Sequence, residues 1–126
     1  MHSWVDGLPA HGLASLKDRG LAYGDGLFET VAVKAGRPVL LELHMQRLVL
    51  GCSRLAITAD QSLIRSEVLA YAQAMGEGVL KLILTRGDSL RGYAACPEAA
   101  PRRILQASPA PAYPLAHALE GVQLFD

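Results

Sequence analysis

The run Val79-Leu80-Lys81-Leu82-Ile83-Leu84 is nearly all apolar and follows directly on Gly76 and Gly78. After two glycines it is too short to stand alone as a helix, so it is expected as a buried β-strand. Arg103-Ile104-Leu105-Gln106-Ala107 reads as another strand. From Leu27 the chain continues Phe-Glu-Thr-Val-Ala-Val-Lys, rich in β-formers, and Ala35-Gly36-Arg37-Pro38 turns it back into Val39-Leu40-Leu41, which predicts a β-hairpin. Near the start, Trp4-Val5, Asp6-Gly7 and Leu8-Pro9 predict a short strand closed by a tight turn, because Asp-Gly supplies the positive φ such turns use. Residues 17–26, KDRGLAYGDG, hold three glycines and two aspartates. That many permissive residues predict a loop of defined shape.

Helical periods fill the middle. Leu41, Met45, Leu48, Cys52 and Leu55 recur at alternating steps of four and three, so all five share one helical face. Thr58 with Gln61 matches a capping box, and Ile64, Val68, Tyr71 and Met75 form a second apolar stripe that Gly76 and Gly78 end. Strands flanking two helices predict an α+β fold, a largely antiparallel sheet with both helices on one face. The stretch TRGDSLRGYAACPEAAPRR is expected as a long loop with a functional role. Pro109, Pro111 and Pro114 suggest a stiff connector, after which Gly121-Val122-Gln123-Leu124-Phe125-Asp126 reads as the start of a strand, so a truncation is expected.

With 126 residues and 51% hydrophobic content, the chain can bury a real core as a single domain. Twelve Lys+Arg balance twelve Asp+Glu, leaving no net field to gather nucleic acid or an anionic membrane surface. Cys52 and Cys96 stand far apart without ligand spacing, which speaks against a disulfide framework or a zinc site and for a cytoplasmic setting. The start lacks a basic, then apolar, leader, and no apolar run reaches the roughly 20 residues of a membrane span, so a soluble protein is expected.

Arg19, Arg47, Arg86, Arg91, Arg102 and Arg103 stand mostly beside glycines or turn residues, which favours anion binding over acid–base work. Arg86-Gly87 and Arg91-Gly92 fit best, with solvated surface arginines as the open alternative. Arg47 lies beside the first apolar stripe; partly buried there, it needs an anion, either a ligand or an ion-pair partner such as Glu42 or Asp25. His44 reads as a hydrogen-bonded residue at the helix start, Tyr71 and Met75 as core, and Glu29 as an outward-facing strand carboxylate.

Three segments, DRGLAYGDGLFET at 18–30, ELHMQRL at 42–48 and LTRGDSLRGY at 84–93, together resemble the small-domain signature of fold-type IV pyridoxal-phosphate enzymes. That group holds aminodeoxychorismate lyases, D-amino-acid transaminases and branched-chain aminotransferases. The resemblance covers essentially the whole chain, and the TRG…RGY ending and the FET triplet are most similar to the lyases. It implies that Arg47 binds the phosphate of pyridoxal 5'-phosphate and that Phe28, Thr30, Arg86, Arg91 and Tyr93 contact substrate. Tyr93 stands where D-amino-acid transaminases have His, and Phe28 where they have Tyr. It also implies a homodimer in which the Arg91 loop crosses the interface.

By the same resemblance, residues 1–108 are a small domain and 109–126 a connector entering a larger cofactor-binding domain. The family's Schiff-base lysine belongs to that domain; none of Lys17, Lys34 and Lys81 matches it, so no catalytic residue is expected here and the chain alone is expected to be inactive. The implied reaction turns 4-amino-4-deoxychorismate, a small dicarboxylate, into 4-aminobenzoate and pyruvate for folate synthesis. The alternatives are a transaminase of the same fold and a non-catalytic, self-associating module.

Overall fold

The computed structural model describes residues 1–12, 15–89 and 100–125. Six strands form one antiparallel sheet: β1 (Ser3–Val5), β2 (Leu8–Ala10), β3 (Gly26–Lys34), β4 (Arg37–Pro38), β5 (Gly78–Thr85) and β6 (Arg102–Ser108), in the order β2-β1-β6-β5-β3-β4. Both outer hairpins have two-residue turns with both φ values positive, Asp6 at 51° with Gly7 at 83° and Ala35 at 48° with Gly36 at 72°. Such turns match the right-handed twist of the strands they join. They set the registers Val5↔Leu8 and Lys34↔Arg37.

The expected buried strand is β5, at the sheet's centre with β3 on one side and β6 on the other. Leu80, Leu82 and Leu84 are buried on one face, whereas Val79, Lys81 and Ile83 point the other way and Lys81 is exposed. Helices α2 (Leu41–Leu55) and α3 (Gln61–Met75) cover the leucine face. Met45, Leu48, Cys52, Ile64, Val68 and Tyr71 pack there with Val31, Val33 and Leu105 in a single cluster. Tyr71 is wholly buried, donates its hydroxyl to the His2 carbonyl at 3.2 Å, and meets Trp4 edge-on at 5.2 Å. Met75 packs against the cluster, partly buried, while Leu55 at the last turn of its stripe is exposed.

Four local expectations are corrected. Residues 17–26 are not all loop: α1 (Arg19–Tyr23) forms because the Asp18 side chain accepts from the Leu21 amide and Gly24 closes the helix in the left-handed conformation. The returning strand stops at Pro38, since Leu40 has a φ of 55° and Leu41 already begins α2. Thr58 does not cap α3; Asp60 does, its Oδ1 accepting from the Leu63 amide at 3.0 Å. Finally, residues 121–125 form no strand. A short helix, α4 (Leu115–Glu120), precedes them, and among the described residues no strand pairs with them.

Candidate functional site

Strand β3 alternates cleanly. Glu29, Val31 and Val33 face the helices, and Phe28, Thr30, Ala32 and Lys34 face away. Glu29 therefore lies under α2 at 3% exposure, contrary to the outward-facing carboxylate expected from sequence. Its Oε1 accepts from Arg47 Nε at 2.7 Å, its Oε2 from Arg47 Nη2 at 2.6 Å, and the same Oε2 contacts His44 Nδ1 at 2.6 Å. An ionised carboxylate only accepts, so His44 carries its proton on Nδ1 here. Burial opposes ionisation of Glu29, but the hydrogen bonds from Arg47 and His44 outweigh it and hold the carboxyl below its ordinary value of 4.5.

Arg47 departs from expectation in two ways. Its side chain is 69% exposed rather than half-buried, and its partner is Glu29, neither Glu42 nor Asp25. Glu42 pairs with Arg65, and Asp25 with Arg19 and Arg86. Glu29 occupies only the Nε–Nη2 edge of the guanidinium, and among the described residues Nη1 meets no acceptor. A planar cation oriented along one edge and open along the rest fits a phosphate oxygen.

Arg19, Arg86, Arg102 and Arg103 make bonds within the scaffold. Asp25 Oδ2 accepts from Arg19 Nε and Arg86 Nε, each at 2.8 Å. The Arg86 bond, set against burial and joined by that from Arg19, holds the Asp25 carboxyl below its ordinary 3.8. Arg86 also donates Nη1 to the Ala56 carbonyl at 2.9 Å and Nη2 to that of Leu55 at 2.6 Å, closing the C-terminus of α2. With all three nitrogens on protein acceptors, Arg86 acts as a clamp within the scaffold, and a substrate contact by it would use the second N–H of Nη1 or Nη2. Arg102 Nη1 donates to Asp18 and Asp88, each at 2.6 Å, and Arg103 grips Glu67 with two bonds. Arg91 and Tyr93 lie outside the described residues.

On the sheet face away from the helices, Phe28 pairs across the strands with Ile83, and Thr30 with Lys81. Lys81 Nζ stands 4.8 Å from the Phe28 ring centroid, a cation over an aromatic face. Lys81 continues across to Gln106 on β6. Phe28 and Thr30 are thus brought together with a cation that sequence reasoning passed over. Its signal was a lone charge inside an apolar run, which marks the side of the strand left open. These residues and Arg47 with Glu29 belong to opposite faces of β3.

Residues 26–124 match the amino-transferase class IV family. The chain belongs to that family. Among class IV relatives of known structure, 4-amino-4-deoxychorismate lyase from Pseudomonas aeruginosa is 62% identical, with a TM-score of 0.92 over 95% of this chain and 44% of that one. An aminodeoxychorismate lyase from Vibrio harveyi is 30% identical over 122 residues, 96% of this chain and 45% of the relative. A hypothetical aminotransferase from Mycobacterium tuberculosis, solved in a PLP-bound form, is 31% identical with a TM-score of 0.69 over 82% of this chain and 36% of that one. This class IV chain therefore spans a little under half the length of the two lyases. The α+β fold and the similarity to the lyases, both expected from the residue pattern, hold. Among the described residues no helix is long and apolar enough to cross a membrane.

Proposed function

We propose that residues 1–108 are the small domain, and 109–126 the connector, of a pyridoxal-phosphate-dependent lyase that converts 4-amino-4-deoxychorismate to 4-aminobenzoate and pyruvate. The observation that carries this reading is the 62% identity to the Pseudomonas aeruginosa lyase across 95% of the chain. Pyridoxal 5'-phosphate, when bound, draws electrons from the substrate carbon that bears the amine and so loosens the proton on that carbon. Arg47 takes the cofactor's phosphate on the edge that Glu29 leaves open. Thr30 offers a hydroxyl and Lys81 an ammonium to a small dicarboxylate, with Phe28 as the apolar wall beside them. Arg91 and Tyr93 are assigned to a substrate carboxylate by their place in the motif alone.

The cofactor-linking lysine is assigned to the half of the relatives that this chain does not span. Lys81 does not match it in position and stands over Phe28 in mid-strand. The reading includes a homodimer and a cytoplasmic setting, where the buried thiol of Cys52 stays reduced. Reducing a mixture of this chain and pyridoxal phosphate with borohydride is expected to leave no stoichiometric adduct on Lys17, Lys34 or Lys81 in a peptide map. Such an adduct would place the linking lysine in this half after all.

Joining residues 1–126 to the remaining half of the Pseudomonas aeruginosa enzyme tests the whole reading. The chimera is expected to release equal amounts of 4-aminobenzoate and pyruvate from 4-amino-4-deoxychorismate with no keto acid present. The aminotransferase likeness at 31% identity supports a second reading, a transaminase. A chimera that holds the cofactor but transfers amino groups only when a keto acid is supplied would decide for it.

A further inference from the structure

We infer that Glu29 and His44 are positioning residues for Arg47, keeping its guanidinium in one orientation so that an open edge faces a phosphate group. The inference rests on the reading of Arg47 as the phosphate ligand and adds what that reading lacks, a reason for the arginine's pose. An arginine with 69% of its side chain in solvent has few neighbours to restrain it and would otherwise sample many rotamers. Glu29 removes that freedom. Both its oxygens engage Arg47, at 2.7 and 2.6 Å, and two parallel bonds fix the plane of the guanidinium as one bond could not. Glu29 is itself held: it is anchored in β3 at 3% exposure, and His44 Nδ1 donates to Oε2, the oxygen that also takes Arg47 Nη2. His44 and Arg47 are three residues apart on α2, so they share a helix face and one carboxylate reaches both.

Charge and orientation make opposite predictions. A carboxylate beside Arg47 lowers the positive potential that a phosphate meets. If Arg47 acted only as a charge, the isosteric substitution Glu29→Gln would tighten phosphate binding. If its orientation matters, the same change weakens binding, because a ligand must then order the side chain itself.

The test is a titration of the 126-residue chain with inorganic phosphate at constant ionic strength, following the Arg47 Nε–Hε resonance by nuclear magnetic resonance. The wild type is expected to show a saturating shift, and Glu29→Gln about tenfold weaker binding, taking as a guide the lower end of losses seen when a residue supporting a metal ligand is removed. His44→Gln, which changes a ring 19% exposed and leaves the buried carboxylate in place, is expected to weaken binding less but in the same direction. It carries the test by itself if Glu29→Gln fails to fold. Wild-type affinity or tighter binding in both variants would overturn the inference while leaving Arg47 as a ligand. No Arg47 response in the wild type would remove the reading of Arg47 and the inference with it.

Discussion

A carboxylate placed between a strand and a helix is costly unless hydrogen-bond donors meet it, and Glu29 is met by Arg47 and His44. Its folded pKa lies below the ordinary 4.5, as that of Asp25 lies below 3.8 beside Arg86 and Arg19. A depressed carboxylate pKa contributes stability that is complete above the unfolded value and fades as pH falls through the folded one. Thermal melts are therefore expected to show a falling Tm on acidification from about pH 5 to about pH 3. Glu29→Gln should flatten part of that fall, and an unchanged slope would mean that Glu29 is not ionised in the folded state. Leu48, 1% exposed beneath α2, is expected to cost about 2–5 kcal/mol in urea unfolding when changed to Ala. Its burial was legible from the helical period. The partners of Glu29 were not, since Arg47 stands 18 residues away and no local pattern links the two.

Elements end where backbone groups find other partners, and α2 ends on Arg86. Its guanidinium takes the carbonyls of Leu55 and Ala56 while its Nε holds Asp25, so one side chain ties the helix end to the turn before β3. Arg86→Ala is expected to lose about 1–3 kcal/mol in urea unfolding, the range for leaving such acceptors unmet. Arg86→Lys should recover little, because a single ammonium cannot span three directed acceptors. Full recovery by lysine would show that charge alone matters there. Asp60→Ala should cost about 1 kcal/mol through the lost cap of α3. The apolar stripes of α2 and α3 were readable as periods, and the strands β3, β5 and β6 as short runs rich in β-formers or apolar residues. Helix α1 was hidden because Asp18 and Gly24, which read as turn formers, are its two caps. The clamp made by Arg86 was not legible, because a clamp and an anion site use the same chemistry and differ only in what lies opposite.

For the molecule as a whole, α2 and α3 cover one face of the sheet. On the other, Phe28 and Leu8 are exposed, and Leu115, Leu119, Leu124 and Phe125 lie exposed along and after α4. Apolar surface of that extent favours association, so sedimentation velocity is expected to show species larger than a monomer as concentration rises. A clean monomer at high concentration would count against both the homodimer and the self-associating module. By itself the sequence determined the layers: the helical periods over 41–55 and 64–75, the apolar run at 79–84 and the Asp-Gly turn are local properties, and together they specify two helices on an antiparallel sheet. Only the tertiary structure decided which carboxylate each of Arg47, Arg86 and Arg102 meets. The pairs Arg47–Glu29, Arg86–Asp25 and Arg102–Asp18 join residues 18, 61 and 84 positions apart, and the distances between such residues are set by strand register and helix placement.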